Sequence, residues 1–328
     1  MSNEEDAMEV EPTTPVTTEE LAVVTKVEEE DEEDVSDLLE ALDDASSKPA
    51  IGRIPILLDL LKDTKKRGPK ASSLKERALY DLTRAYCETS QYEEVVPLLK
   101  TSPYFSTITK AKCAKVVRAV LDMVCKLAPT ELDMQADICK NIIAWTKREK
   151  RSFLRQRVEA KLASILLEQR QYGQALSLID PLLGELKKLD DKQLLVEAHL
   201  LESKVHFGLR NVPKAKAALT ASRTCANAIY VSPSLQSTID MMSGVLHTEE
   251  GDYDTAHSYF LEAFEQLDQM NDRDRALPCL KYMMLCRILD SLTKALALSA
   301  QGGVGRYLAG CQLSLHYYIL FSQPFLND

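Results

Sequence analysis

The 328-residue chain has little of what punctuates a backbone: 11 glycines and 13 prolines. So few turn-formers exclude a turn-rich β sandwich or barrel and favour long helices joined by short turns. Chemical signatures are equally scarce. None of the eight cysteines (87, 113, 125, 139, 225, 279, 286 and 311) belongs to a CxxC pair, which removes the usual zinc-ribbon and redox spacings. The five histidines (199, 206, 247, 257 and 316) make no HExxH or other metal spacing, and no GxSxG occurs. "QGGVGRY" (301–307) is glycine-rich, but no Lys-Ser/Thr follows and no strand precedes it, so both the phosphate-loop and the dinucleotide fingerprints fail. No catalytic, cofactor or metal site is therefore expected. An enzyme would need a cluster of titratable residues assembled only in three dimensions. The N-terminus is acidic and polar, unlike a secretory signal. Buried, reduced thiols in an intracellular compartment are the expectation.

Charge is unevenly placed. Residues 1–50 hold 18 acids and two lysines (Lys26 and Lys48), a net −16, whereas the remainder holds 32 acids and 38 bases, a net +6. So small a positive excess does not mark a nucleic-acid binder. The acid-rich segment 1–50 reads as a disordered acidic tail, within which Leu38, Leu39 and Leu42 of "DVSDLLEALDDA" (34–45) suit a short amphipathic helix. Residues 51–71 read as a first helix (about 51–62) and a basic linker. "KKRGPK" (65–70) there reads as a solvated loop in preference to a nuclear-import signal.

From 72 to 289 the pattern is helix, short turn, helix. Val158, Leu162, Ile165 and Leu166 recur at i, i+4, i+7 and i+8, and Ala175, Ile179, Leu182 and Leu186 make a second stripe after "QRQY" (169–172). Pro181 inside that second stripe predicts a kink or a local restart. "GDYDTAHSYFLEAF" (251–264) shows the unit most clearly. Gly251 is placed to end one helix in the left-handed conformation, Asp252 to cap the next, and Tyr253 to wedge between the two.

Stepping back from Tyr253 by 41 and then three times by 40 residues gives Val212, Tyr172, Leu132 and Tyr92. These five anchors, together with the residues seven before, six after and seven after each, are 20 positions, all apolar, where a 45% hydrophobic chain gives about nine by chance. Three residues after the anchor stand Val95, Gln135, Ala175, Ala215 and Ala256, small in four of five. The fold class expected is all-α: a TPR-like right-handed α-solenoid of helix pairs with a period of about 40 residues. His206 and His247, each six residues before an anchor, are expected to be inter-helix packing residues.

One run invites a partner. "WTKREKRSFLRQR" (145–157) gathers Lys147, Arg148, Lys150, Arg151, Arg155 and Arg157 around one inter-helix turn. A solvated helical face is one reading. A docking patch for an acidic protein partner is the other, since arginine forks suit carboxylates.

"EKRSFLRQRVEAKL" (149–162), "LKKLDDKQLLVEAHLLESKVHFGLRNVPKAKAALTASRTCANAIYVSP" (186–233) and "LKYMMLCRI" (280–288) resemble the proteasome non-ATPase regulatory subunit 11 family, over roughly residues 72–289. The resemblance implies a non-catalytic lid subunit of the proteasome regulatory particle, acting in ubiquitin-dependent protein degradation. A helical-repeat arm would brace the lid to the ATPase ring and the core particle. The implied partners are other lid subunits, ATPase-ring subunits and core-particle α subunits, in cytoplasm and nucleus. A PCI module with a winged helix follows the arm in that family. Residues 290–328 do not resemble that continuation, so they read as a divergent C-terminal tail without a winged helix. Within it, 307–325 carries no formal charge, close to the length of a membrane span, but Gln312, His316, Ser322, Gln323 and Pro324 interrupt it and no membrane partner is expected. Two further readings stand beside this one. The chain resembles, less closely, subunit 2 of the COP9 signalosome. A free TPR-like adaptor would bind a peptide or helix in its concave groove, reading it with Asn and Lys/Arg side chains, for which Asn211 and Asn227 are few.

Overall fold

The computed structural model describes residues 36–62, 69–101 and 104–298. All regular structure among these residues is helical, with no strand. The chain divides into two compact units, Met1–Ala128 and Pro129–Asp328.

The first unit opens with α1 (residues 36–47). Leu38, Leu42 and Ala45, at i, i+4 and i+7, are all buried. This is the short amphipathic helix that Leu38 and Leu42 suit within the acid-rich segment, with Leu39 facing outward. The helix stops where the Ser46 and Ser47 hydroxyls donate back to the carbonyls of Asp43 and Asp44, at 2.8 and 2.7 Å. α2 (Ala50–Lys62) buries Leu57, Leu60 and Leu61 and packs on α3 (Pro69–Glu88). Of the basic run 65–70, only Pro69 and Lys70 lie within the described residues, as the start of α3, where proline's fixed φ suits a first turn. A short 3₁₀ turn (Tyr92–Glu94), α4 (Val95–Thr101) and α5 (Tyr104–Thr107) lead to α6 (Lys110–Leu127), which packs against α3.

The second unit is a run of long helices: α7 (Leu132–Arg148), α8 (Ser152–Glu168), α9 (Tyr172–Leu189), α10 (Lys192–Gly208), α11 (Val212–Ala226), α12 (Pro233–Glu249), α13 (Tyr253–Gln269) and α14 (Arg273–Leu298). Each packs against the next, and α8 also touches α10, and α10 touches α12. Four of the anchors are thus first residues of helices, namely Leu132, Tyr172, Val212 and Tyr253, and Tyr92 opens the 3₁₀ turn. Three residues on, Val95, Gln135, Ala175, Ala215 and Ala256 are buried. So are Leu99, Cys139, Ile179, Leu219 and Phe260, seven residues on.

The turns share one chemistry. Lys150, Arg170, Asp190, Arg210, Gly251 and Asn271 all have positive φ, between 53° and 80°. Around five of them an N–H reaches back five residues: Arg151 to the Thr146 carbonyl, Gln171 to Leu166, Asn211 to His206, Asp252 to His247 and Asp272 to Leu267, at 2.9–3.0 Å. These bonds satisfy carbonyls that a helix end leaves without partners. Side chains then start the next helix: Asp191, Asn211, Ser232 and Asp252 accept from Leu194, Lys214, Leu235 and Thr255 N–H. Gly251 (φ 80°), Asp252 and the buried Tyr253 therefore occupy the positions that their sequence pattern predicts.

Of the kink or local restart expected at Pro181, the restart does not occur: α9 runs unbroken through it. A mid-helix proline costs ~3 kcal/mol, but Ile179, Leu182 and Leu186, all fully buried, contribute ~1.5–3 kcal/mol each. α14 continues past residue 289, where the resemblance stops, to Leu298. Leu289 is fully buried, and Lys294 pairs with Asp290 at 2.6 Å, so packing and an i,i+4 ion pair carry the helix onward. The "QGGVGRY" stretch and the uncharged segment 307–325 lie outside the described residues.

Candidate functional site

The basic run 147–157 occupies the end of α7, the turn at Lys150 (φ 53°) and the first turns of α8. Its six cations are not equivalent. The Arg155 guanidinium bonds the Glu185 carboxylate of α9 and lies 4.0 Å from the carboxylate of Glu159. Lys147 Nζ approaches the same Glu159 at 3.9 Å. Gln156 Nε2 donates to Glu185 at 3.1 Å. The carboxyl of Glu159 is pushed up by burial, against the opposing pull of Arg155 and Lys147. That of Glu185, nearer solvent, is held down by the Gln156 hydrogen bond and then by Arg155.

Arg151 lies 5.0 Å above the Trp145 ring and 3.9 Å from Glu149. Arg151 and Arg155 are therefore engaged in tying α7, α8 and α9 together, and Arg157 is half-buried. Lys147, Arg148 and Lys150 stand exposed, as does the Phe153 ring, 67% accessible, one turn away. The structure thus separates the six residues: Arg151 and Arg155 are structural, Arg148 and Lys150 face outward with an aromatic neighbour, and Lys147 is exposed but shared with the buried Glu159. The Arg155–Glu159 pair, four residues apart on one helix, is visible to sequence spacing, although the six cations alone draw the eye. Nothing local pointed to Glu185, 30 residues on, or to Phe153 as an exposed aromatic.

Elsewhere the titratable groups serve packing. Among the described residues no group of three or more His, Cys, Asp or Glu is arranged to hold a metal ion. Burial pushes the Cys279 and Cys286 thiols up to about 12 and about 11, which removes thiolate character at neutral pH. His247 stacks on Tyr259 of α13 (centroids 5.4 Å apart), and the Arg223 guanidinium of α11 lies over the same Tyr259 ring, 5.1 Å from its centroid, with one N–H donating to its hydroxyl at 2.9 Å. The Asn211 side chain is a helix cap and so is not available to read a ligand. A cleft of about 200 Å³ lies between the start of α10 (Gln193, Glu197) and the connection into α12, with Ile229, Val231 and Leu235 on its walls. No helix among the described residues is long and apolar enough to cross a membrane.

Residues 34–169 match the family model of the 26S proteasome regulatory subunit RPN6 N-terminal domain. The 26S proteasome non-ATPase regulatory subunit 11 homolog of Arabidopsis thaliana is 52% identical over 239 residues, covering 73% of this chain and 56% of the relative. The probable 26S proteasome regulatory subunit rpn6 of Schizosaccharomyces pombe is 41% identical over 237 residues, 71% of this chain and 56% of the relative. The 26S proteasome regulatory subunit RPN6 of Saccharomyces cerevisiae is 40% identical over 233 residues, 70% and 52% respectively. The chain therefore spans little more than half the length of the curated relatives it matches.

Proposed function

The chain belongs to the 26S proteasome non-ATPase regulatory subunit 11 family, and from that membership we propose that it is a non-catalytic structural subunit of the regulatory particle lid. The observation that carries this reading is the 52% identity sustained over 239 residues of a chain whose described part is helix packed on helix. In this proposal α7–α14 form a TPR-like right-handed solenoid that braces the lid to the ATPase ring and to core-particle α subunits, in ubiquitin-dependent degradation. The chain does its work by holding surfaces in place, and its distribution is cytoplasmic and nuclear. Arg148 and Lys150 are the docking cations, with Phe153 as the apolar anchor beside them. They face an acidic partner surface, where exposed charge mainly sets orientation and association rate.

The test is affinity purification of the tagged full chain from its own cells, with mass spectrometry of what elutes. Lid, ATPase and core subunits in fixed ratio support the reading, and chaperones alone overturn it. Changing Arg148 and Lys150 together to Glu is expected to deplete ATPase or core subunits while helicity is retained. Unchanged recovery removes the patch from the interface without removing the scaffold role.

A further inference from the structure

The connection between α11 and α12 is the longest of the second unit. It covers 227–232, six residues, where the others, such as 169–171, 190–191 and 250–252, have two or three. Ending α11 uses its first half: the N–H groups of Asn227, Ala228 and Ile229 return to the carbonyls of Arg223, Cys225 and Ala226. Beyond them Tyr230–Ser232 is neither helix nor turn. Ser232 is extended, at φ −65° and ψ 145°, as suits a residue before proline. Among the described residues the N–H groups of Tyr230, Val231 and Ser232 have no hydrogen-bond partner.

Three further features meet there. Tyr230 is 91% accessible, more than any other large apolar side chain among the described residues. Its neighbours Ile229 and Val231, with Leu235, wall the cleft of about 200 Å³ against Gln193 and Glu197 of α10. From Thr224 to Ile239 the chain carries no charged residue. This edge lies well inside the second unit. Arg275 Nη2 donates to Ser234 Oγ at 2.9 Å, which sets it beside the start of α14, and α14 runs on to Leu298, ~35 Å further along the helix.

We propose that the α11–α12 connection is a docking site for an extended, uncharged segment of a partner protein, which pairs its backbone with Tyr230–Ser232 and places one large apolar side chain in the cleft, against the Tyr230 ring. Extended N–H groups without partners are what an added strand bonds to. The cleft is smaller than the ~300–1,000 Å³ of a small-molecule pocket, so it takes one side chain and not a cofactor. The charge selects the rest of the segment. An ionised side chain laid on this uncharged rim would give up water for no counter-charge. Glu197, the one charged residue on the cleft wall, already has a partner and calls for no cation.

The experiment selects binders of the full chain from a random octapeptide library and follows the selected peptides by amide hydrogen exchange. Enrichment of sequences with one large apolar residue among uncharged ones is expected, with exchange at Tyr230 and Val231 slowed roughly tenfold or more in the complex. Tyr230→Ala changes a side chain already in solvent and is expected to weaken binding roughly tenfold. Val231→Pro removes one N–H and is expected to abolish binding, as is methylation of the peptide's own backbone nitrogens beside the apolar residue. Both variants are expected to keep their helicity by circular dichroism. Selected peptides that are charged or carry helical i, i+4 spacing overturn the assignment of the occupant. No enrichment, protection confined to other segments, or binding indifferent to Tyr230→Ala overturns the site. A dimer in sedimentation that Tyr230→Ala dissolves makes a second copy of the chain the occupant and overturns the partner. None of these outcomes depends on the lid assignment, which the purification above tests separately.

Discussion

A β-carbon on Gly244 would lie 2.8 Å from Cε1 of Phe260 and 2.9 Å from its Cζ, so α12 and α13 meet where only hydrogen fits. Phe260 is fully buried and stacked on Tyr282, centroids 5.5 Å apart, and cannot give way. Alanine is the better helix former by ~1 kcal/mol, yet Gly244→Ala is expected to destabilise by about 1–3 kcal/mol through overpacking. Gly208 is the contrast. Its β-carbon would meet the Tyr172 ring at 2.5 Å, but Tyr172 opens α9 and is half-exposed, so the ring can swing out. Gly208→Ala is expected to be near neutral. Urea melts of the two variants decide the point, and equal costs would show that ring burial does not govern the difference.

The turns allow a test of opposite sign. Arg170 holds φ 60° and Gly251 φ 80° at the ends of their helices. Any L side chain in that region carries strain of ~1 kcal/mol, from its β-carbon, that glycine lacks. Arg170→Gly is expected to raise stability by roughly 0.5–1 kcal/mol, and Gly251→Arg to lower it by about the same. Thermal melts that move both variants in one direction would show that the side chains at these turns matter more than the backbone.

Arg155 and Arg148 sit in one basic run and are expected to respond differently. Arg155→Met leaves the buried Glu159 with Lys147 alone at 3.9 Å and removes the bond to Glu185. A cost of roughly 1–3 kcal/mol follows from a carboxylate that burial already disfavours. Arg148→Met, on an exposed position without an ion pair among the described residues, is expected to stay within about 0.5 kcal/mol. Chemical denaturation distinguishes them. A large loss from Arg148→Met would mean that the outward-facing set is structural as well.

Much of this fold was legible because its information is local. The anchors mark helix starts, and the turn grammar of a left-handed residue followed by an Asx cap is written within four residues at Gly251–Asp252 and Arg210–Asn211. What was not legible depends on partners far along the chain. Pro181 suggests a local restart until the burial of Ile179 and Leu182 is known. The change of resemblance at 289 reads as a boundary, yet packing of Leu289 on α13 takes the helix past it. The candidate patch shows the same limit. Six cations are visible in the sequence, but which of them are already occupied depends on Glu185, one helix further on.

The sharpest of these distant relationships centres on Asp240. Its carboxylate lies inside α12, 3% accessible, accepting from Gln236 Nε2 at 2.9 and 3.1 Å and from Gln266 Nε2 of α13 at 3.1 Å. Burial pushes its carboxyl above the ordinary Asp range, more than the two amides and Arg223 pull it down. The folded state therefore holds this proton more firmly than the unfolded state does. The stabilisation is complete below the unfolded pKa and is lost as pH rises through the raised folded value. Asn carries no charge to bury, and its amide N–H can serve Gln266 Oε1, which is buried without a hydrogen bond. Asp240→Asn is expected to gain on the wild type as pH rises above about 4, and to level off once the raised folded value is passed. Melting temperatures against pH measure it. A constant difference between the two proteins would mean that the ionised carboxylate is fully compensated by Gln236, Gln266 and Arg223, and that burial does not set the balance at this site.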